Sequence, residues 1–174
     1  MKTVGIISDT HGKLDPRAYA ALIDCDHIIH AGDICSPGII VELGTIAPVS
    51  AVLGNNDYDE YGSAVGRYAR PEIEGVRFLV AHYPQDVRVS FAGSSALAPG
   101  DPIPHVLVHG HTHVPKLETG PEARPADVLL CPGSAFRPRG GFPRCIAKMQ
   151  VEAGRIVGAR IESLDGDVVL AMGE

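Results

Sequence analysis

The deciding stretch of this sequence reads Val4-Gly5-Ile6-Ile7, followed at once by Ser8-Asp9-Thr10-His11-Gly12. The apolar half is typical of a buried β-strand, and the polar half places an acid and a histidine two residues apart just past its end. Side chains so placed can turn toward one point in the crevice at the carboxyl edge of a sheet. The stretch therefore predicts the first half of a metal site, although an Asp-x-His pair alone is a weak signal.

The next two predicted strands also end in polar residues. Asp15 and Pro16 are a suitable N-cap and first residue for an amphipathic helix that runs to Ile23. A strand at 27–31 then leads to Gly32-Asp33, and a helix at 37–43, closed by Gly44, is followed by a strand at 49–53 that leads to Gly54-Asn55-Asn56-Asp57. The opening is thus β-α-β, and three strands are expected to bring polar side chains to one edge.

The remainder of the chain is predicted to be richer in strands than in helices. Residues 58–70 are expected to form a loop or a ragged helix beside the site, and residues 72–81 a hairpin that ends at His82. A short helix from Ser90 and then a loop are expected up to residue 104. Strands follow at 106–108, which leads to His109-Gly110-His111-Thr112-His113, and at 128–130, while 145–152 and 155–162 form a hairpin.

Length and composition predict one globular domain over residues 1–174, because the chain is long enough for one core and too short for two ordinary domains. A hydrophobic content of 45% excludes a disordered chain, and a net charge of −6 argues against a stable nucleic-acid partner. We also expect no membrane segment, free cysteines and a cytoplasmic location. Whether the chain forms homo-oligomers stays open.

The residues that follow the strands offer oxygen and nitrogen donors without a thiolate. The candidate metal ligands are Asp9, His11, Asp33, Asn55, His82, His111 and His113. Such a set suits Mn, Fe, Zn or Ni better than Mg or Ca. Seven donors exceed the needs of one ion, so we expect two divalent ions that share Asp33. Asp57 is expected to orient a ligand or its loop, and His109 either supports the ligands from behind or contacts phosphate.

The order and spacing of these motifs resemble those of the calcineurin-like metallophosphoesterase superfamily. The tail segments 131–134 and 137–139 also look like those of its small bacterial and archaeal phosphodiesterase branch. The resemblance implies a four-layer α/β/β/α sandwich of two mixed sheets. It also implies two ligand sets, which share Asp33: Asp9, His11, Asp33 and His113 for one ion, and Asp33, Asn55, His82 and His111 for the other.

Two positions depart from the family's pattern. The family often has Gly-Asn-His, whose histidine assists the leaving group, whereas Asn56 stands here and cannot act as a general acid. The fourth motif is commonly His-Gly, but His82 is followed by Tyr83-Pro84, so a core or hydrogen-bonded role for His82 stays open. Arg137 and Arg139 are interpreted as solvated loop charges.

The resemblance implies a dinuclear metal-dependent hydrolase of small phosphate esters, and a phosphodiesterase is the expected class. A metal-bridging hydroxide would attack phosphorus, with Asp33 and Asn55 at the reaction centre and manganese as the expected metal. Two alternatives are a phosphomonoesterase on the same site and a non-catalytic binding or scaffold protein that keeps the fold, like retromer's phosphoesterase-like subunit. Because every ligand position is filled, the sequence favours an enzyme.

Overall fold

The computed structural model describes residues 1–89 and 96–173, which form two β-sheets and two α-helices. The helices are α1 (Pro16–Leu22) and α2 (Pro37–Leu43). The strands are β1 (Lys2–Ile7), β2 (His27–His30), β3 (Val49–Ala51), β4 (Tyr68–Ala69), β5 (Glu72–Ile73), β6 (Val76–Ala81), β7 (Val106–Val108), β8 (Lys116–Thr119), β9 (Val128–Cys131), β10 (Cys145–Glu152), β11 (Arg155–Ser163) and β12 (Val168–Gly173). Short 3₁₀ turns lie at Asp59–Tyr61, Pro84–Val87 and Gly120–Glu122. The helix predicted from Ser90 begins outside the described residues.

The first sheet has the strand order β12-β11-β10-β1-β2-β3. Strands β1, β2 and β3 are parallel because α1 and α2 form the crossovers between them, whereas β10, β11 and β12 are antiparallel. Helix α1 begins as predicted, since the carboxylate of Asp15 accepts the backbone N–H of Arg17 and Pro16 occupies the first helical position. The predicted β-α-β opening is therefore confirmed.

The second sheet has the order β4-β6-β7-β9-β8, and β5 pairs with β6. Its central strands β6, β7 and β9 are parallel, and β8 is antiparallel to β9. Strands β4, β8 and β12 were not predicted, because the two residues of β4, four mixed residues in β8 and a largely exposed edge in β12 give no clear alternation. The third predicted strand is shorter than expected and ends at Ala51.

The two sheets pack face to face around an aliphatic core. Val4 and Ile6 of β1 point into this core with Phe78 of the second sheet, and Ile7 points the other way, toward Leu22 of α1. On the outer face of the second sheet, the described residues form 3₁₀ turns and loops rather than α-helices. The two mixed sheets packed face to face confirm the predicted fold class, with α1 and α2 on the outer face of the first sheet and, in the described part of the chain, turns and loops in place of helices on that of the second.

Two hairpin turns join the sheets at the end away from the candidate ligands. Glu74-Gly75 and Ala153-Gly154 all have positive φ, as tight two-residue hairpin turns require, and the Gly154 N–H donates to the Glu74 carbonyl. The carboxyl ends of the parallel strands meet at the other end of the molecule. No helix in the ranges 1–89 and 96–173 has the length and apolar character to cross a bilayer.

Candidate metal centre

All seven candidate ligands lie together at the carboxyl ends of five parallel strands. Asp9 and His11 follow β1, Asp33 follows β2 and Asn55 follows β3 in the first sheet, while His82 follows β6 and the pair of His111 and His113 follows β7 in the second. Asp9, Asp33, His82 and His113 are buried, His11 and His111 are half-buried, and Asn55 is exposed. The centre therefore lies where the two sheets meet, with one open side.

The first cluster consists of Asp9, His11, Asp33 and His113, whose ligand atoms all lie within 4.8 Å of one another. The Nε2 atoms of His11 and His113 are 3.3 Å apart. His113 Nε2 lies 3.1 Å from Asp9 Oδ1, and His11 Nε2 lies 3.7 Å from Asp33 Oδ2. Two imidazoles and two carboxylates thus face one point, which is the donor set and spacing that a divalent ion needs.

A second cluster lies on the other side of Asp33. The side-chain oxygen of Asn55 is 3.1 Å from His82 Nε2 and 3.0 Å from His111 Nδ1. His82 Nε2 is also 3.5 Å from Asp33 Oδ1. Asp33 therefore presents one oxygen to each cluster, the position that a shared ligand of two ions would occupy.

One buried oxygen of Asp9 is left without a hydrogen bond. Its Oδ2 accepts the Ser8 hydroxyl at 2.6 Å and the His111 backbone N–H at 3.2 Å. Its Oδ1 finds no hydrogen-bond partner in the described part of the chain, because the approach of His113 lacks hydrogen-bond geometry. Burial tends to raise the pKa of Asp9, but His113 and Ser8 outweigh it and the pKa is lowered. An ionised, buried oxygen without a hydrogen bond is costly unless a cation compensates it, so the residues fit a metal ion.

Two histidines are oriented by backbone carbonyls. Nδ1 of His82 donates to the carbonyl of Ala31 at 2.8 Å, and Nδ1 of His113 donates to that of Arg137. Each ring therefore presents an Nε2 lone pair to its cluster, as metal-binding histidines do. The imidazole of His82, left open by the sequence, is thus buried and aimed into the second cluster.

The histidines of the centre differ in how their pKa values are shifted. Burial is the main cause that lowers the pKa of His11 and of His111, and the charges of Arg137 and Arg139, respectively, add to it. The Asp9 carboxylate instead raises the pKa of His113. His11 and His111 are therefore neutral donors at neutral pH.

The backbone of five of the seven candidate ligands is strained. Asp9, His11, Asp33, His111 and His113 have φ values of 54°, 48°, 53°, 67° and 61°, in the left-handed region that residues with a side chain rarely adopt. Such conformations persist where the surrounding structure determines them, and they concentrate at functional sites. The conformation turns each side chain inward directly after its strand.

Two glycines allow the ligand loops to approach one another. A Cβ at Gly110 would lie 2.1 Å from Ser8 Oγ and 2.9 Å from Asp9 Oδ2, and a Cβ at Gly54 would lie 2.2 Å from Asp33 Oδ1. No real Cβ tolerates such distances. Gly54 and Gly110 therefore have to be glycines, because any side chain there would collide with the candidate ligands or with Ser8.

The side chains of Asn56 and Asp57 hold the loops that carry Asp33 and Asn55. The backbone N–H and the side-chain Nδ2 of Asn56 donate to the two oxygens of Asp33 at 2.9 and 2.7 Å. The Asp57 carboxylate accepts the N–H groups of Ile34, Cys35 and Gly54. His109 is buried, and its Nδ1 contacts the neighbouring Gly110 carbonyl.

Two buried residues that hold the ligand loops, His30 and Ser134, were not predicted from the sequence to have a role at the site. His30 receives the Gly32 N–H on Nδ1 and contacts the Thr10 hydroxyl through Nε2, and burial lowers its pKa to about 4. Ser134 donates to the backbone carbonyl of Asp9. Ser134 lies in the tail segment 131–134, so the motif was visible, but its contact with Asp9, 125 residues away, was not.

An open cleft of about 360 Å³ adjoins the second cluster. It is lined by Leu53, Gly54, Asn55, Arg67, His82, Tyr83 and Asp86. The ring of Tyr83 packs against His111 with 4.7 Å between ring centroids. The cleft leaves room beside the centre for an organic group.

Comparisons with known proteins agree with this architecture. The model of the calcineurin-like phosphoesterase superfamily domain matches residues 1–154. A probable metallophosphoesterase of Methanothermobacter thermautotrophicus is 34% identical over 176 residues, which cover 95% of this chain and 91% of the relative. The solved phosphoesterase Yfce from E. coli has a TM-score of 0.72 at 21% identity, with 98% of each chain covered. Vps29 from Entamoeba histolytica, solved with Zn²⁺, has a TM-score of 0.68 at 19% identity, with 98% of this chain and 97% of that chain covered.

Proposed function

This chain belongs to the calcineurin-like phosphoesterase superfamily, and on that premise we propose that it is an enzyme that hydrolyses small phosphate diesters with two divalent metal ions. The observation that carries the proposal is the pair of donor clusters joined by Asp33, together with the buried oxygen of Asp9 that has no hydrogen bond. Residues 1–174 act as one domain. The four free cysteines support a cytoplasmic location.

The two ions are assigned to the two clusters. One is held by Asp9, His11, Asp33 and His113, and the other by Asp33, Asn55, His82 and His111. When bound, such ions supply an attacking water of lowered pKa and neutralise charge on the phosphoryl oxygens. Manganese is the first choice and Ni, Zn or Fe the alternatives, because the donors are imidazole, carboxylate and amide. The Zn²⁺ in the Entamoeba neighbour supports a divalent ion at this fold.

Asn55 and Asp33 have distinct roles in this proposal. The Asn55 oxygen faces His82 and His111, so its amide nitrogen is the donor that steadies a phosphoryl oxygen. Asp33 fixes the spacing of the two clusters, and Asn56 holds its carboxylate in place by two hydrogen bonds. His82 and His113 keep their Nε2 atoms available because their Nδ1 protons are bound to carbonyls.

The preference for diesters follows from Asn56. An alkyl monoester expels a strongly basic alkoxide, and a general acid typically accelerates that step by about 10²–10⁴-fold. The amide of Asn56 is not acidic enough to protonate the leaving oxygen, and its NH₂ group already donates a hydrogen bond to Asp33. An aryl diester, or a cyclic diester with ring strain, needs the acid less, so such esters are the expected substrates.

The test is a comparison of kcat/KM for bis-p-nitrophenyl phosphate and for glycerol 2-phosphate on the Mn²⁺-loaded protein. We expect the aryl diester to be hydrolysed faster, and Asn56→His to raise the relative rate of the alkyl monoester if the imidazole reaches the leaving oxygen. A wild type that prefers the alkyl monoester by a wide margin would replace the diesterase proposal by the phosphomonoesterase alternative. Absence of hydrolysis of both esters by metal-loaded protein would contradict enzymatic function.

A further inference from the structure

Three cations border the first cluster, and we call them the basic rim: Lys13, Arg137 and Arg139. All three are exposed, and within residues 1–89 and 96–173 none has a carboxylate partner within 4 Å. Lys13 Nζ and Arg137 Cζ lie 6.0 and 5.4 Å from the centre of the Phe136 ring. In a chain with a net charge of −6, such a group of unpaired cations has no role in neutralising the protein's own acids.

The rim is fixed to the metal centre by hydrogen bonds. The Ser134 hydroxyl donates to the carbonyl of Asp9 at 2.9 Å and accepts the N–H of Arg137 at 2.8 Å. His113 receives the N–H of Arg139 on its carbonyl at 3.2 Å and donates its own Nδ1 proton to the Arg137 carbonyl. The backbone of both arginines is therefore bonded to His113, and Ser134 links Arg137 to Asp9, so these residues do not belong to a loosely attached loop.

The rim and the open cleft border different ends of the centre. The cleft is lined by Asn55 and His82 of the second cluster, whereas the rim is bonded to His113 of the first cluster and, through Ser134, to Asp9. A diester has two ester groups, so each end of the centre offers a distinct surface to one of them. The cleft combines Tyr83 with apolar and polar groups, and the rim presents only positive charge to a ligand.

We propose that the basic rim binds a second phosphate group of the substrate, so that the preferred substrate is a small diester that carries a further phosphate. This inference rests on the proposed function, since it places the scissile phosphate at the metal centre. Guanidinium groups bind phosphate through paired, charge-assisted hydrogen bonds, and a lysine adds a point charge. A small substrate is favoured over a long nucleic acid because the overall charge of the protein is negative.

The experiment compares two aryl diesters with the same leaving group on the Mn²⁺-loaded full chain. These are the p-nitrophenyl ester of thymidine 3′-phosphate and the same compound with a 5′-phosphate. In the wild type, kcat/KM should be about tenfold higher for the 5′-phosphorylated ester, mainly through KM, because exposed ion pairs each contribute modestly. Each single change, Lys13→Gln, Arg137→Gln or Arg139→Gln, should lower this ratio, and the double Arg137→Gln/Arg139→Gln variant should bring it to about 1–2.

The matched control is Arg155→Gln, which removes one exposed positive charge at the start of β11. Since β10 and β11 turn there beside the first residues of β1, Arg155 lies at the end of the molecule away from the centre. Its ratio should equal that of the wild type. The ratio of two substrates is informative even when a variant folds or binds metal less well, because both reactions then fall together.

A wild-type ratio near 1, or a double variant that keeps the tenfold ratio, would overturn the role of the rim while leaving the proposed function intact. If neither ester is hydrolysed, the proposed function fails. Calorimetry then tests separately whether the rim binds phosphate. Thymidine 3′,5′-bisphosphate should bind the Mn²⁺-loaded wild type about tenfold more tightly than thymidine 3′-phosphate, and the double variant should lose that difference. Equal binding of both nucleotides to the wild type would refute the rim as a phosphate site.

Discussion

The Asp57 carboxylate ties two ligand loops together, and its replacement tests how the candidate centre is held. Its Oδ2 accepts the N–H groups of Ile34 at 3.1 Å and Gly54 at 2.8 Å. Its Oδ1 accepts the N–H of Cys35 at 2.7 Å and the hydroxyl of Tyr61 at 2.9 Å. Burial alone would raise the pKa of Asp57, but these donors together outweigh it and the pKa is lowered.

Asp57→Ala leaves three backbone donors without their acceptor. Each costs about 1 kcal/mol where water partly replaces the carboxylate, so the free energy of unfolding should fall by about 3 kcal/mol. Asp57→Asn keeps one oxygen but turns an NH₂ group toward two donors, and a loss of roughly 2 kcal/mol is expected. Because these loops carry Asp33 and Asn55, the affinity for Mn²⁺ should fall by about 10–100-fold in both variants.

Urea denaturation gives the free energies, and calorimetric titration with Mn²⁺ gives the affinities. Asp59→Asn is the matched control, since Asp59 is an exposed acid two residues further on, and both of its values should equal those of the wild type. Wild-type stability together with wild-type Mn²⁺ affinity in Asp57→Ala would refute the argument that this carboxylate organises the centre.

Three further perturbations follow from the same contacts. Asp33→Asn should abolish nearly all hydrolysis and lower the number of Mn²⁺ bound, whereas His11→Ala should leave one ion bound; normal turnover with two ions in Asp33→Asn would contradict a shared ligand. Gly110→Ala should reduce metal affinity and stability, because its Cβ would meet Ser8 Oγ at 2.1 Å, and a wild-type melting curve would show otherwise. The pKa of Asp15 is lowered to about 2, mainly by its hydrogen bond with the Arg17 side chain, so this carboxylate contributes stability above its unfolded pKa near 3.8 and loses that contribution as the pH falls through about 2. Asp15→Asn should therefore be less stable than wild type at neutral pH and equal to it below about pH 2 in denaturation curves.

The sequence predicted the strands that carry the centre because two signals coincided there. Buried runs such as Val4–Ile7 are recognisable by their apolar character, and the polar motif after each run marks the strand end. Parallel pairing then brings Asp9, Asp33 and Asn55 to one edge without further information. The family resemblance, rather than periodicity, supplied the second sheet that brings in His82.

The remaining features depend on contacts between distant segments. Positive φ at Asp9 and His113 depends on the surrounding loops, since Asp and His adopt this conformation more often than most residues but only rarely. The bond from Ser134 to Asp9 and the position of Arg137 beside Lys13 and Phe136 join the two ends of the chain. The sequence alone therefore presented the arginines as solvated charges, whereas the structure fixes their backbone to the centre.

Metal reconstitution tests the central claim most directly. The purified protein is freed of metal by chelation, its metal content is measured, and Mn²⁺ is added while hydrolysis of bis-p-nitrophenyl phosphate is followed. The account predicts no hydrolysis by the metal-free protein, binding of two equivalents of Mn²⁺ and full activity when both are bound, because no side chain of the centre serves as a nucleophile. Full hydrolysis by protein shown to be metal-free would contradict it.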